Sequence, residues 1–425
     1  MYRKIKNYVS SKDFVKDNLI LFIASFIMNI LGYLYHFSMG RTLGPVQYGI
    51  LGSLFSIIYI ITIPINTIQT TIANFTARFK VNNEKDKINY LIRSSLKKIS
   101  IYSLIVIIIA VMITPFIQDF LHITNKHYLY LVYIFFIFAM IIPISRGVFQ
   151  GLQNFKQLGL SMILEGFFKL FPALILVYLG FGIVGAIVAV IISYLIPILV
   201  STFQLKEILK TEKKKFESKE VYKYTVPVML MLLFTTLYYS MDILLVKHFF
   251  SEHDAGYYAA ISLLGKIIFF GSLSIVMVMF PKVSENYYNK KPHKRILYKS
   301  LGAVALFGFV VSLFYFLFSD LTVKVVFGNE YAPIAGLIGI FGLMTTFISL
   351  SYLIAYYNIS INKIRFLIIL FVFDILEILL IWFFHNSLAT VIYILLFMMI
   401  TLFIILFTLF YISKERYHKT TIKNY

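Results

Sequence analysis

KEILKTEKKKFESKEVYKY, residues 206–224, carries seven lysines and four glutamates in nineteen positions, while the chain as a whole is only 14% charged. Apolar runs of about twenty residues end on one side of it and resume on the other. Each is long enough to cross a bilayer as a helix. So dense a cluster of charge belongs in water, which makes residues 205–223 an aqueous linker. The stretches it separates, 18–204 and 224–411, are then expected to be two lobes of similar length, flanked by polar segments 1–17 and 412–425.

Working outward, 60% of the 425 residues are apolar and 18% aromatic, and the mean hydropathy is +0.85. Soluble domains run near 25% charged, so the chain is an all-α polytopic membrane protein. Twelve apolar runs can be drawn, six per lobe: residues 18–39, 47–69, 99–118, 128–149, 158–179 and 183–203, then 224–246, 257–281, 300–319, 333–356, 366–384 and 388–411. An even number puts both termini on one side. That side holds 32 of the 39 lysines and arginines, the opposite side four (Arg41, Lys126, Lys247, Lys324), and three lie inside spans. Basic loops stay cytoplasmic, so both termini are expected in the cytoplasm and the protein in the plasma membrane. The first eighteen residues are polar and lack a small-residue cleavage site, which reads as retained sequence and not a signal peptide.

The net charge of +20 is accounted for by these loops and the anionic lipids they face, and calls for no nucleic acid. Cysteine is absent, which removes disulfides, thiolate catalysis and cysteine-bound metals. Walker A, GxGxxG, GxSxG and HExxH patterns are missing as well. Prolines 64, 115, 143, 172, 197, 227 and 281 fall within or beside spans, where each removes a backbone donor and can kink a helix.

The lobes resemble each other. GRTLGPVQYGILGSL (40–54) and VKHFFSEHDAGYYAAISLL (246–264) each take a basic residue through a turn into a Gly/Tyr helix start. In each lobe the second span leads to a long basic loop, and QGLQNFKQLG (150–159) has a counterpart in YYNISINKIRF (356–366). With six spans per copy the repeat is parallel, about an axis along the membrane normal. Two such lobes suit alternating access by rocking.

Four stretches carry a resemblance to a known family: GRTLGPVQYGILGSLFSI (40–57), RGVFQGLQNFKQLGLSMILEGFFKLFPALILVYLGFGIVGA (146–186), MDILLVKHFFSEHDAGYYAAISLL (241–264) and VVFGNEYAPIAGLIGIFGL (325–343). In this order and spacing they resemble the Wzx-like oligosaccharide-lipid and polysaccharide flippases of the multidrug/oligosaccharidyl-lipid/polysaccharide (MOP) exporter superfamily. The resemblance implies two six-helix lobes in a V around a central cavity. It also implies an isoprenoid-diphosphate-linked glycan as substrate, and it admits other polysaccharide-assembly proteins as partners.

Charges within spans are costly, at about 2.5–3.5 kcal/mol each on insertion scales, so each should face a cavity, a partner or an interface. Lys266 has no acid one turn away and is a candidate to bind an anionic headgroup. Lys169 is another, although Glu165 four residues before it offers an intrahelical ion pair. Arg146 could snorkel or bind an anion. Arg41, at the external end of the first span, could serve a lateral gate or a headgroup. No bound cofactor is expected. Asp374 and Glu377, three apart on one face, and Asp242 in the MDILL stretch are candidates to couple sodium or protons. Alternatively, Asp242 pairs with Lys266 and the other two acids are structural.

Two other functions compete. A cation-coupled multidrug exporter of the same superfamily should have an acidic cavity, whereas the first lobe has Lys169 beside its buried Glu165. A polytopic glycosyltransferase or polysaccharide polymerase needs sizeable external loops, and here the longest, residues 320–332, has thirteen residues.

Overall fold

The computed structural model describes residues 11–212, 214, 222–361 and 363–412. The segment before residue 11, linker residues 213 and 215–221, and the tail beyond 412 lie outside the described residues. Among the described residues every regular element is helical. In chain order these are α1 (Ser11–Ile61), α2 (Pro64–Val81), α3 (Lys85–Phe120), α4 (His127–Gly151), α5 (Phe155–Leu176), α6 (Gly182–Gln204) and the short α7 (Lys206–Leu209). After the linker come α8 (Tyr222–Leu237), α9 (Met241–Phe249), α10 (Glu252–Tyr288), α11 (Lys294–Leu317), α12 (Ser319–Val326), α13 (Ala335–Ser360), α14 (Phe366–Phe383) and α15 (Leu388–Ile412).

Ten helical stretches are long and apolar enough to cross a membrane, and two of them are double length, Ile23–Ile61 with 39 residues and Phe155–Gln204 with 50. Each doubled stretch is interrupted by glycine in the left-handed region, Gly44 at φ 69° and Gly180 at φ 90°, a conformation other residues reach only with strain. With those interruptions the ten stretches hold the twelve expected crossings. The prolines mark few of the breaks. Pro115, Pro143, Pro172 and Pro197 sit inside helices that continue past them, and Pro64 opens α2, where its missing N–H costs nothing.

The helices gather into two compact units: the described residues of Met1–Leu43 with Ile61–Lys223, and those of Gly44–Ile60 with Tyr224–Tyr425. The linker alone therefore does not divide the chain, because half of the second span packs with the second unit. The reason is small-residue packing. A methyl group on Gly49 would lie 2.7 Å from the Gly256 nitrogen, one on Gly52 2.7 Å from Ala259 Cβ, and one on Gly256 1.8 Å from the Pro45 carbonyl oxygen. Without side chains in the way, the backbones approach directly.

In the first unit α4 packs against α2, α3, α5 and α6, and Phe79, Ile88, Ile92, Phe136, Met140 and Phe149 form the core where α2, α3 and α4 meet. α3 has 36 residues, about 54 Å at 1.5 Å per residue, so its polar first turns extend beyond a 30 Å hydrocarbon core. There Asn89 and Arg93 donate to the carbonyl of Leu209, Arg93 Nη2 at 3.0 Å, and hold the start of the linker. Further along, Leu104, Ile108, Met112 and Phe116 are exposed, a continuous apolar stripe suited to lipid. In the second unit α13 is enclosed by α10, α11 and α15, and most of its residues are buried.

Candidate functional site

Each unit buries its own set of charged side chains. In the first, α4 and α5 form a hairpin with its turn at Leu152–Asn154, so residues equally distant from the turn face each other. Arg146 and Ser161, at nearly the same distance from the turn, are such a pair. Arg146 Nε donates to Ser161 Oγ at 3.0 Å, and its Nη2 donates to the Ser161 carbonyl at 3.1 Å and to Glu165 Oε2 at 2.6 Å. The two charged side chains are 12% and 15% exposed. Glu165 therefore closes on the arginine of the neighbouring helix, where the i, i+4 spacing alone suggested Lys169. Lys169 Nζ lies 4.7 Å from the centroid of the Tyr35 ring. Tyr35 is fully buried and donates its hydroxyl to the Ala186 carbonyl at 3.1 Å. Arg41, just before the Gly44 turn, is exposed.

The second unit contains a feature that the hydropathy does not show. The seventh span is discontinuous: α8 ends at Leu237, Tyr238–Ser240 turn, and α9 restarts at Met241. Broken helices at membrane depth free backbone groups and recur at transport sites. Ser240 occupies the N-cap position of α9 without making a side-chain cap bond, and Asp242 places an acid in the first turn, where negative charge is favoured beside backbone N–H groups that lack partners. Asp242 is 1% exposed. Its Oδ1 accepts from the Ile243 N–H at 2.8 Å and its Oδ2 from the Tyr258 hydroxyl at 2.9 Å.

Lys266, from α10, is 6% exposed. Its Nζ lies 4.9 Å from the ring centroid of Tyr59 and 5.6 Å from that of Tyr239. The expected alternative of a direct Asp242–Lys266 bridge does not form within 4.0 Å. Between them is a cavity of about 10 Å³, also lined by Tyr238, Ser262 and Thr345, about the volume of one water. The lysine is thus a buried cation that rests on tyrosine rings.

On α14, Asp374 and Glu377 are 4% and 1% exposed on the face that also buries Leu370, Phe373 and Ile381. Neither oxygen of either carboxyl has a hydrogen-bond partner. The nearby Tyr238 hydroxyl donates instead to the Leu370 carbonyl at 2.7 Å. Among the described residues no three histidine, aspartate or glutamate side chains come close enough to hold a metal ion, so Asp242, Asp374 and Glu377 do not form one metal site. Sequence reasoning missed Tyr258, Tyr59 and Tyr239, which act across helices and leave no spacing signal. It also missed the helix break, for which the only local signal was a serine at 240 followed by an acid in the next turn at Asp242.

Residues 14–287 match the family described as polysaccharide biosynthesis protein. An uncharacterised membrane protein of Methanocaldococcus jannaschii is 25% identical over 296 residues, which cover 64% of this chain and 68% of that one. Among solved structures, a multidrug resistance MATE family transporter of the MOP superfamily, in an inward-facing conformation, superposes with a TM-score of 0.71 at 14% identity, covering 93% of this chain and 99% of that one. A MOP superfamily transporter from Pyrococcus furiosus, described as having a binding pocket of reverse polarity that suggests a different function, gives 0.63 at 15% identity over 94% and 97%. The chain is a multi-pass membrane protein with the two-lobed, twelve-helix fold of the MOP superfamily transporters.

Proposed function

The chain belongs to the polysaccharide biosynthesis protein family, and from that membership we propose that it is a transporter. Its substrate is an isoprenoid-diphosphate-linked oligosaccharide, moved from the cytoplasmic to the external leaflet of the plasma membrane by alternating access, with both termini cytoplasmic. The observation that carries this reading is Lys266, a buried cation held over Tyr59 and Tyr239 with no carboxylate of the described residues within ion-pair distance. A cation–π contact is worth about 0.5–2 kcal/mol, and charge-assisted bonds to phosphate oxygens are among the stronger polar contacts. A diphosphate can therefore draw the amine off the rings at little cost.

Lys169, over the Tyr35 ring and also within the field of Glu165, is the second headgroup contact. Arg146 is already engaged by Glu165 and Ser161, so its part is to position α5. Arg41, exposed beside the Gly44 turn, meets headgroups at the external end. The driving ion is sodium or a proton, taken up at the second unit's buried acids. Asp374 and Glu377 are buried without hydrogen-bond partners, and the charges of Asp374 and Asp242 both act on Glu377, so a cation taken up among these acids relieves the repulsion between them. The reaction forms no covalent bond, so the protein acts as a carrier and not as an enzyme.

The test is glycan export in cells whose protein level is monitored. Lys266→Ala should abolish export at an unchanged level, and Lys266→Arg should keep part of it, because charge matters more than shape at a point contact. Wild-type export from Lys266→Ala, Lys169→Ala and Arg146→Ala combined would discard the mechanism.

A further inference from the structure

Beside Lys266 begins a series of aromatic rings that headgroup binding does not explain. The Tyr239 ring, under the lysine amine, lies 5.0 Å from Phe269, and Phe269 lies 5.1 Å from Tyr352. Tyr352 is 4.7 Å from Tyr356 one turn further along α13, and Tyr356 is 5.9 Å from Phe280. The series thus joins the α8–α9 break, α10 and α13. It runs toward the Ser360 end of α13, from which Tyr352 and Tyr356 are about 12 and 6 Å distant at 1.5 Å per residue.

Ordinary packing accounts for the rings but not for the hydroxyls. Tyr352 is 7% exposed and donates its hydroxyl to that of Tyr356 at 3.0 Å. Phenylalanine would fill the same volume without a polar atom to satisfy. The Tyr356 hydroxyl, having accepted that bond, keeps its own proton. Tyr356 is only partly buried, so that proton is left for an outside acceptor. A pyranose ring has the complementary chemistry: an apolar C–H face to lie on an aromatic ring, and hydroxyl oxygens that accept hydrogen bonds at its edge.

We propose that Tyr352 and Tyr356, backed by Phe269 and Phe280, form a sugar subsite that receives the glycan residue next to the diphosphate held at Lys266. This rests on the glycan-lipid reading above and adds where the sugar is recognised.

Binding to the full-length protein in detergent separates the two ideas, using an isoprenyl diphosphate without sugar and the same lipid carrying one N-acetylhexosamine. The sugar should tighten binding by about five- to tenfold, from one ring contact and one hydrogen bond. Tyr352→Leu and Tyr356→Leu should each erase most of that gain. Tyr356→Phe, which preserves the packing, should lose about half of it. Lys266→Ala should weaken both lipids alike and leave the gain intact. No gain in the wild type, or a gain that survives both leucine variants and the phenylalanine variant, overturns the subsite. Unchanged affinity of the sugar-free lipid in Lys266→Ala overturns the headgroup assignment, with the subsite still judged by the gain. Failure of both lipids to bind overturns both.

Discussion

Replacing Glu165 by Gln would leave the Arg146 guanidinium in the first unit without its counter-charge. The pair is short, at 2.6 Å, and largely enclosed, with 12% and 15% of the side chains exposed. Breaking a fully buried pair from one side costs about 3–5 kcal/mol, because the remaining charge is stranded. Here the bonds from Arg146 to Ser161 persist and some solvent reaches the pair, so the loss should fall to about 2–3 kcal/mol. Removing both charges, as Arg146→Met with Glu165→Met, strands nothing and should cost less than either single change. The assay is thermal unfolding of the purified protein for wild type, both single variants and the double, analysed as a double-mutant cycle. Glu165→Gln should melt several degrees below wild type and the double variant between them, with most export retained. A Glu165→Gln variant as stable as wild type would refute the idea that the pair stabilises the fold. A stable double variant that exports nothing would return Arg146 to the headgroup site.

Gly256→Val should be more harmful than most glycine substitutions in this chain. Its Cβ would begin 1.8 Å from the Pro45 oxygen, and overpacking of this kind costs about 1–3 kcal/mol or more; a normal melting profile would show that the Gly44–Ile60 segment can move aside freely. For topology, single cysteines at Lys214 and Lys291 should resist an impermeant maleimide applied from outside, while cysteines at Glu252 and Asn329 should label. All four positions are exposed and the chain has no cysteine of its own, so external labelling of the first two would reverse the orientation. In vesicles, an imposed proton or sodium gradient should change the transport rate, and no response to either would remove the coupling role. Asp374→Asn with Glu377→Gln should abolish the response, and a wild-type response from that pair would make these acids structural.

The spans were legible because crossing hydrocarbon demands long apolar runs, and the duplication because charge interrupts those runs at the same places twice. The partners of the buried charges were less so. The i, i+4 rule pointed Glu165 at Lys169 within one helix, yet the α4–α5 hairpin offers Arg146 at the same reach. Counting outward from the turn at Leu152–Asn154 brings Arg146 near Ser161, and the length of the arginine side chain carries it one turn further, to Glu165. Lys266 was recognisable as an isolated buried cation, but the rings beneath it come from the second and seventh spans, and contacts that distant in sequence leave no periodicity. Gly44 looked like part of an ordinary turn, and only the packing of Gly49 on Gly256 reveals which unit the following helix joins.

That glycine contact also ties the repeat together. Tyr-Gly at 48–49 and Ala-Gly at 255–256 occupy matching places in the two copies of the repeat, as do Gly52 and Ala259. The structure brings Gly49 to Gly256 and Gly52 to Ala259, so two stretches that resemble each other in sequence also pack on each other. A bulkier side chain in either stretch is therefore felt by both, whereas each copy keeps its own buried charges, Arg146 and Glu165 in one, Asp374 and Glu377 in the other.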